Sequence, residues 1–163
     1  MIEIVYGHEK YLESFHVALD SIAKERHFIE MIEAPPLADT IELQRGHINK
    51  NSPVYYAVDE NRVVGWCDIS LKDNPRLRHR GTLGMGLMSG YRNRGLGTKL
   101  IQANLDHALK IGLERVELTV YTTNTAAQAL YKKMGFIAEG MIYKYRKLDG
   151  VYYDAIFMTR DIR

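Results

Sequence analysis

A run of ten residues, Tyr91-Arg92-Asn93-Arg94-Gly95-Leu96-Gly97-Thr98-Lys99-Leu100, constrains this chain more than any other stretch. It follows a strand-like segment, Thr82 to Met88, and leads directly into a long amphipathic pattern that reads as a helix. A strand, a short glycine-bearing loop and a helix start together form an anion site. The first helical N–H groups have no partner within the helix, and the aligned peptide dipoles place partial positive charge there. Gly95 and Gly97 let backbone N–H groups approach a phosphate with no Cβ in the way, and Arg92, Arg94 and Lys99 add charge around it. The expectation is a phosphorylated ligand on this loop. The competing reading is a tight turn ahead of a helix, with solvated arginines.

Two common phosphate loops do not fit. A P-loop needs Gly-x-x-x-x-Gly-Lys-Ser/Thr, and here Lys99 follows Thr98 rather than preceding it. The dinucleotide fingerprint needs a third glycine where Leu100 stands.

Composition narrows the partners. A chain of 163 residues with 46% hydrophobic content suffices for one domain, residues 1–163, around one sizeable core. A net charge of +2 argues against a non-specific nucleic-acid binder. The basic cluster Arg76, Arg78, His79, Arg80, Arg92 and Arg94 is accounted for by one polyanionic ligand. The single cysteine, Cys67, allows no intrachain disulfide and reads as a small core residue rather than a nucleophile. No apolar run approaches the roughly 20 residues of a membrane span, and the N-terminus lacks a signal-peptide pattern. These features make a cytoplasmic protein the default. No histidine pair has the helical spacing of a zinc site, so no metal is indicated.

Periodicity supplies the elements. Ile2 to Tyr6 reads as a strand, and His8 to about Arg26, with Leu12, Phe15, Leu19, Ile22 and Ala23 at steps of three and four, as an amphipathic helix. Residues 28–34 read as a loop closed by Pro35-Pro36. A second helix is expected from Leu37 to about Lys50, with Ile41, Leu43 and Ile48 facing the core. A hairpin follows, with strands near Pro53–Asp59 and Val63–Leu71, then a strand from His79 to Met88 that feeds the glycine loop. In the next helix Ile101, Leu105, Ala108 and Gly112 share the buried face, with Leu109 flanking it. Glu114 to Tyr121 alternates, Val116, Leu118 and Val120 against Glu117, Thr119 and Tyr121, and should lie parallel to the strand before the loop. Asn124 caps a short helix that Gly135 stops. Two last strands turn at Asp149-Gly150, a type I′ signal.

With these elements in place, two motifs carry a resemblance. Arg92-Asn93-Arg94-Gly95-Leu96-Gly97 resembles the Arg-x-x-Gly-x-Gly pyrophosphate loop of the GCN5-related N-acetyltransferases. About 30 residues on, Asn124-Thr125-Ala126-Ala127 and Leu130-Tyr131-Lys132-Lys133-Met134-Gly135-Phe136 are similar to that family's Asn-x-x-Ala and Leu-Tyr-x-x-x-Gly-Phe segment. The order of elements over the whole chain is similar as well. The resemblance implies a mixed α/β fold with a mostly antiparallel sheet of about seven strands flanked by four helices, acetyl-CoA as cofactor, and transfer of an acetyl group to a primary amine by direct attack in a ternary complex. It further implies that the strands before the loop and after its helix splay apart, with the pantetheine arm in the gap against backbone of Met85 and Leu87. The pyrophosphate would take N–H groups of Arg92, Asn93, Arg94, Gly95, Leu96, Gly97 and Thr98, the amide of Asn124 would bond the arm, and Tyr131 would be the catalytic acid aimed at the sulfur. Gly84 and Gly86 would tolerate the bulge or bend that splaying requires.

The sequence departs from the family pattern in one respect. Relatives often carry a glutamate on the strand before the loop as general base, and Thr82, Gly84 and Gly86 offer no carboxylate. His79 and Asp68 are the groups that could relay a proton; a surface histidine and a solvated or capping aspartate are the competing readings, and the base stays unassigned. In this fold the first interhelix loop and the last hairpin wall the acceptor pocket, which nominates Phe28, Glu30, Met31, Glu33, Tyr145 and Tyr153, with Tyr143 and Tyr152 nearby. Carboxylates and aromatic faces suit a cationic amine, small molecule or peptide. The expected partners exclude nucleic acid and membrane, and a homodimer stays open. The alternative function is a non-catalytic acyl-CoA sensor or interaction module of the same fold.

Overall fold

The computed structural model describes residues 1–163. The chain forms strand β1 (Ile2–Tyr6), helices α1 (Leu12–Ala23) and α2 (Leu37–Asn49), and strands β2 (Val54–Asp59), β3 (Arg62–Leu71) and β4 (Arg80–Leu87). Helix α3 (Leu96–Lys110), strand β5 (Arg115–Tyr121), helix α4 (Thr125–Lys133) and strands β6 (Ile137–Leu148) and β7 (Val151–Asp161) complete it. One seven-stranded sheet runs β1-β2-β3-β4-β5-β7-β6, antiparallel throughout except for the parallel pair β4 and β5. No helix is long and apolar enough to cross a membrane.

Helices cover both faces of the sheet, so two apolar layers form. Leu100, Ile101, Leu105 and Ala108 of α3 pack with Cys67, Ile69, Leu83, Val116 and Leu118 on one face. Leu12, Phe15, Leu19 and Ile22 of α1 pack with Val54, Tyr56, Val63 and Trp66 on the other. Each such buried aliphatic or aromatic side chain contributes about 1.5–3 kcal/mol. The last hairpin turns at Asp149 (φ 51°) and Gly150 (φ 77°), the two positive φ values of a type I′ turn.

Helix α2 departs from expectation. Its buried residues are Thr40 and Gln44, with Ile41 and Ile48 partly covered, while Leu43 is 62% exposed. Leu43 lies roughly a third of a turn around the helix from that face. The face is polar because Gln44 Oε1 accepts from the buried Tyr56 hydroxyl at 2.6 Å. Strand β5 departs too. Glu117 and Tyr121, on its supposedly polar side, are both buried although Thr119 between them is exposed: Arg80 and Lys72 cover Glu117, and the rings of Tyr145 and Tyr153 pack against Tyr121.

The expected bulge in β4 is absent. Gly65–Leu71 of β3 and Gly81–Leu87 of β4 pair in unbroken register, and the register shift of this sheet region falls instead between Ala57 and Val58. Gly86 is small for a packing reason: a Cβ there would stand 2.5 and 2.7 Å from Trp66 ring atoms and 3.1 Å from Ile22 Cδ1. Gly86→Ala should therefore destabilise the fold by about 1–3 kcal/mol, lowering Tm by roughly 2–10 °C in a thermal melt. An unchanged Tm would contradict this packing.

Candidate active site

The parallel pairing of β4 and β5 covers only Arg80–Thr82 against Arg115–Glu117. Beyond it the strands part, although each continues, β4 to Leu87 and β5 to Tyr121. Met88 N donates to Val64 O at 2.9 Å, so by alternation Gly86 and Gly84 also turn their N–H groups to β3. Those of Leu87 and Met85 then point into the gap. Interior strand edges with free N–H and C=O groups are sites for an added extended chain.

The gap opens at the start of α3. Gly95 is the N-cap residue in the left-handed region (φ 77°, ψ 3°), and no side chain caps the helix, so its first N–H groups remain free. Gly97 cannot be larger, since a Cβ would stand 2.8 Å from Leu130 Cδ2 and 3.4 Å from Met85 Cε. The Arg92 side chain is engaged within the protein. Its guanidinium makes a bidentate pair with Glu25 at 3.0 and 2.6 Å, its Nε donates to Leu87 O at 3.0 Å, and it stacks over the Phe28 ring at 4.2 Å. The side chain pins the loop to the α1–α2 connection, and Glu25 neutralises its charge. Arg94 lies over the Tyr91 ring at 5.2 Å and is exposed, as is Lys99.

A cavity of about 740 Å³ runs from this loop through the gap. From the sequence-nominated set it gathers Met85, Leu87, Arg92, Asn93, Gly95, Leu96, Gly97, Thr98, Asn124 and Tyr131, together with Phe28, Glu30, Met31 and Tyr145. Arg94, Glu33 and Tyr153 stand outside its lining. Glu33 is exposed on the α1–α2 connection, and Tyr153 packs its ring 6.2 Å from that of Tyr121, beneath the Arg146 guanidinium. Tyr143 and Tyr152 are solvent-exposed on the hairpin.

Within the cavity the polar groups have distinct partners. Asn124 Oδ1 accepts from Ala127 N at 3.2 Å as the α4 cap, which leaves its NH2 group free to donate. Tyr131 is 7% exposed, and burial pushes its hydroxyl pKa well up, with a smaller contribution from Cys67. It is therefore a neutral phenol, a donor. Tyr145 donates to the Glu30 carboxylate, joining the α1–α2 connection to β6. Tyr121, not nominated from the sequence, lines the cavity with a buried hydroxyl that has no protein partner and a pKa raised by burial to about 12. Its position on the polar side of an alternating strand gave no sign of this. His79 lies away from the cavity, exposed at the paired end of β4, where its carbonyl accepts from Glu114 and Arg115 N at 2.8 and 3.0 Å.

Comparison with known proteins places this geometry. Residues 12–136 match the acetyltransferase (GNAT) family. The chain is 29% identical over 163 residues to the L-amino acid N-acetyltransferase AaaT of Escherichia coli (strain K12), covering 98% of this chain and 99% of that protein. In fold it is similar to an acetyltransferase of GNAT family from Streptococcus pneumoniae, with TM-score 0.92, 24% identity and all of both chains covered. It is also similar to yncA, a putative acetyltransferase from Salmonella typhimurium solved with its cofactor acetyl-CoA, with TM-score 0.91, 15% identity and coverage of 99% and 94%.

The pin at Arg92 is directly testable. Arg92→Ala removes the ion pair, the Leu87 bond and the Phe28 stack, and should raise hydrogen–deuterium exchange of the hydrogen-bonded amides that flank the loop, Met88 and Tyr91, roughly tenfold or more, equivalent to about 1.4 kcal/mol or more. Exchange unchanged from wild type would mean the loop is held by other contacts.

Proposed function

The chain belongs to the acetyltransferase (GNAT) family and is an acetyl-CoA-dependent N-acetyltransferase, and we propose that it acetylates the α-amine of an amino acid or similar small amine by direct attack in a ternary complex. The observation that carries this reading is the parting of β4 from β5 beside the uncapped start of α3, with Tyr131 along the same cavity. The full-length similarity to an L-amino acid N-acetyltransferase supports the acceptor class. The sequence-level alternative, a non-catalytic acyl-CoA module, finds no support among the relatives.

The residues present fit the cofactor. Free N–H groups at Leu87 and Met85 suit the amides of a pantetheine arm, the N–H groups from Arg92 to Thr98 suit a pyrophosphate, and the NH2 of Asn124 and the unpartnered Tyr121 hydroxyl are further donors. The Leu87 carbonyl already accepts from Arg92, so the strand's contribution there is its N–H. Acetyl-CoA supplies a thioester whose carbonyl carbon takes the amine. Glu30, held by Tyr145, puts a carboxylate at the acceptor end for a cationic amine, and Phe28 and Met31 give that end an apolar wall. Tyr131, neutral through the pH range of catalysis, protonates the departing sulfur. The α-amine preference follows from ionisation: an α-amine, with a reference pKa of about 7.7–8.0 at a peptide terminus and a higher value beside the free carboxylate of an amino acid, is neutral near pH 7.5 in a larger proportion than a lysine of about 10.4.

The same reading places the protein in the cytoplasm, where an unpaired thiol such as Cys67 stays reduced. A homodimer is its proposed assembly, supported by exposed Ile137, Met141, Ile142 and Tyr143 on the edge strand β6.

Thiol release from acetyl-CoA across a panel of amines tests the proposal. α-Amino acids should turn over fastest, and faster turnover of a lysine ε-amine would contradict the acceptor class. Gly95→Asp, which adds a carboxylate to the anion site and loads a side chain onto a left-handed backbone, should weaken acetyl-CoA binding by at least tenfold in calorimetry; wild-type affinity would overturn the loop assignment. Tyr131→Phe should lower kcat by roughly 10²-fold with Tm and acetyl-CoA affinity nearly intact, and an unchanged kcat would show that the proton comes from water.

A further inference from the structure

An amine attacks a thioester only as the neutral base, and the reading above leaves its proton without an acceptor. On β4 the side facing α1 and α2 carries Thr82, Gly84 and Gly86, none of which can take one. Gly84 nevertheless lines the cavity, and its register partner across β3 is Asp68. A Cβ built on Gly84 would stand 3.5 Å from Asp68 Oδ1, with no other neighbour within 4 Å of that point. Asp68 itself is outside the cavity lining; its carboxylate stands just behind Gly84, which is in the lining, with no side chain between them. A side chain at position 84 would close that view. Gly84 is the one residue type that leaves it clear.

We propose that Asp68 is the proton acceptor for the acceptor amine, acting through a water that stands over Gly84. The proposal rests on the acetyltransferase reading. The bound ammonium gives one proton to the water, which passes one to the Asp68 carboxylate, leaving a neutral amine and a carboxylic acid. The amine's lone pair then forms the C–N bond to the acetyl carbon, the C–S bond breaks, and its electron pair leaves with sulfur. Tyr131 protonates that sulfur and is itself reprotonated by the surplus proton of the newly bonded nitrogen. Asp68 returns its proton to solvent after product release. One proton is freed per turnover, as conversion of an ammonium to an amide and of a thioester to a thiol requires.

The surroundings suit the task. Crowding by neighbouring strands raises the Asp68 pKa to about 6, opposed by a hydrogen bond from Gln44, while the residue keeps some accessible surface. The Tyr56 hydroxyl donates to Gln44 Oε1 at 2.6 Å, which fixes the amide so that its NH2 is the group offered to Asp68. Tyr56 and Cys67 lie close enough to feel the Asp68 charge, and both stay neutral because their own pKa values are pushed up. On the same sheet face Glu117 takes Arg80 at 3.0 Å and Lys72 at 3.4 Å, so that charged set is satisfied within itself. From α1, Ile22 brings only apolar surface, and on the α1–α2 connection Glu30 is engaged by Tyr145. A carboxyl near 6 draws a proton from a peptide-terminal α-amine of about 7.7–8.0 against roughly a 100-fold equilibrium and from a lysine of about 10.4 against more than 10⁴-fold; the α-amine of a free amino acid falls between the two, which still favours it over lysine.

Asp68→Asn is the test, because asparagine has the same shape and can still accept from Gln44. In the ligand-free wild type, carboxyl ¹³C NMR should show one aspartate titrating near pH 6, absent from the variant. The base must be deprotonated to act, so wild-type kcat should fall as pH drops through about 6; the variant should lose that limb and roughly 10²-fold in kcat, with acetyl-CoA affinity unchanged. Asp68→Asn combined with Gly84→Glu, which restores a carboxylate at the open point, should recover at least tenfold. A folded Asp68→Asn that keeps both kcat and the acid limb would overturn the proposal while leaving the acetyltransferase reading intact, and Asp68→Ser gives the same readout should asparagine fold poorly. If instead the wild type binds acetyl-CoA but acetylates no amine, the reading itself fails and the proposal with it.

Discussion

A sheet interior that parts leaves backbone groups without partners, and such groups are costly unless water or a ligand satisfies them. In this protein the parting is between β4 and β5, which share three residue pairs and then diverge. On the far side of each strand the pairing is complete, β4 with β3 and β5 with β7, so neither strand can swing to close the gap without breaking a full ladder. The gap is thus held open by the rest of the sheet. The cavity, the glycine loop and the α4 cap are all arranged along it.

Holding it open also fixes what surrounds it. Gly97 lets α3 approach Leu130 and Met85 closely, so the uncapped helix start faces the gap's mouth. Arg92 locks the preceding loop to Glu25 and Phe28, which belong to the α1–α2 connection. The glycine loop and that connection therefore share one ion pair. On the proposed assignment a phosphate would be recognised chiefly by backbone N–H groups and the helix dipole.

Much of this was legible in the sequence because it depends on local backbone rules. Glycine at a left-handed helix start, asparagine at a cap and Asp149-Gly150 at a type I′ turn each carry their geometry with them. The order of elements and the parallel pair followed from periodicity. What was hidden depends on partners distant in sequence. Leu43 was expected inward because it is apolar, yet Gln44 took the inward place by pairing with Tyr56, and no periodicity argument sees that bond. Glu25 lies 67 residues from Arg92, so nothing local tells a clamp from a phosphate ligand. Gly84 and Gly86 look alike in sequence; one yields to the Trp66 ring and the other leaves a space beside Asp68.

The central claim is that the gap between β4 and β5 is where the acyl carrier's arm lies. Amide exchange followed by NMR with and without saturating acetyl-CoA tests it residue by residue. The account predicts new protection at Met85 and Leu87, whose N–H groups point into the gap, and along residues 92–98, with little change at Gly84 and Gly86, whose N–H groups already face β3. Saturating binding that leaves Met85 and Leu87 unprotected would contradict it.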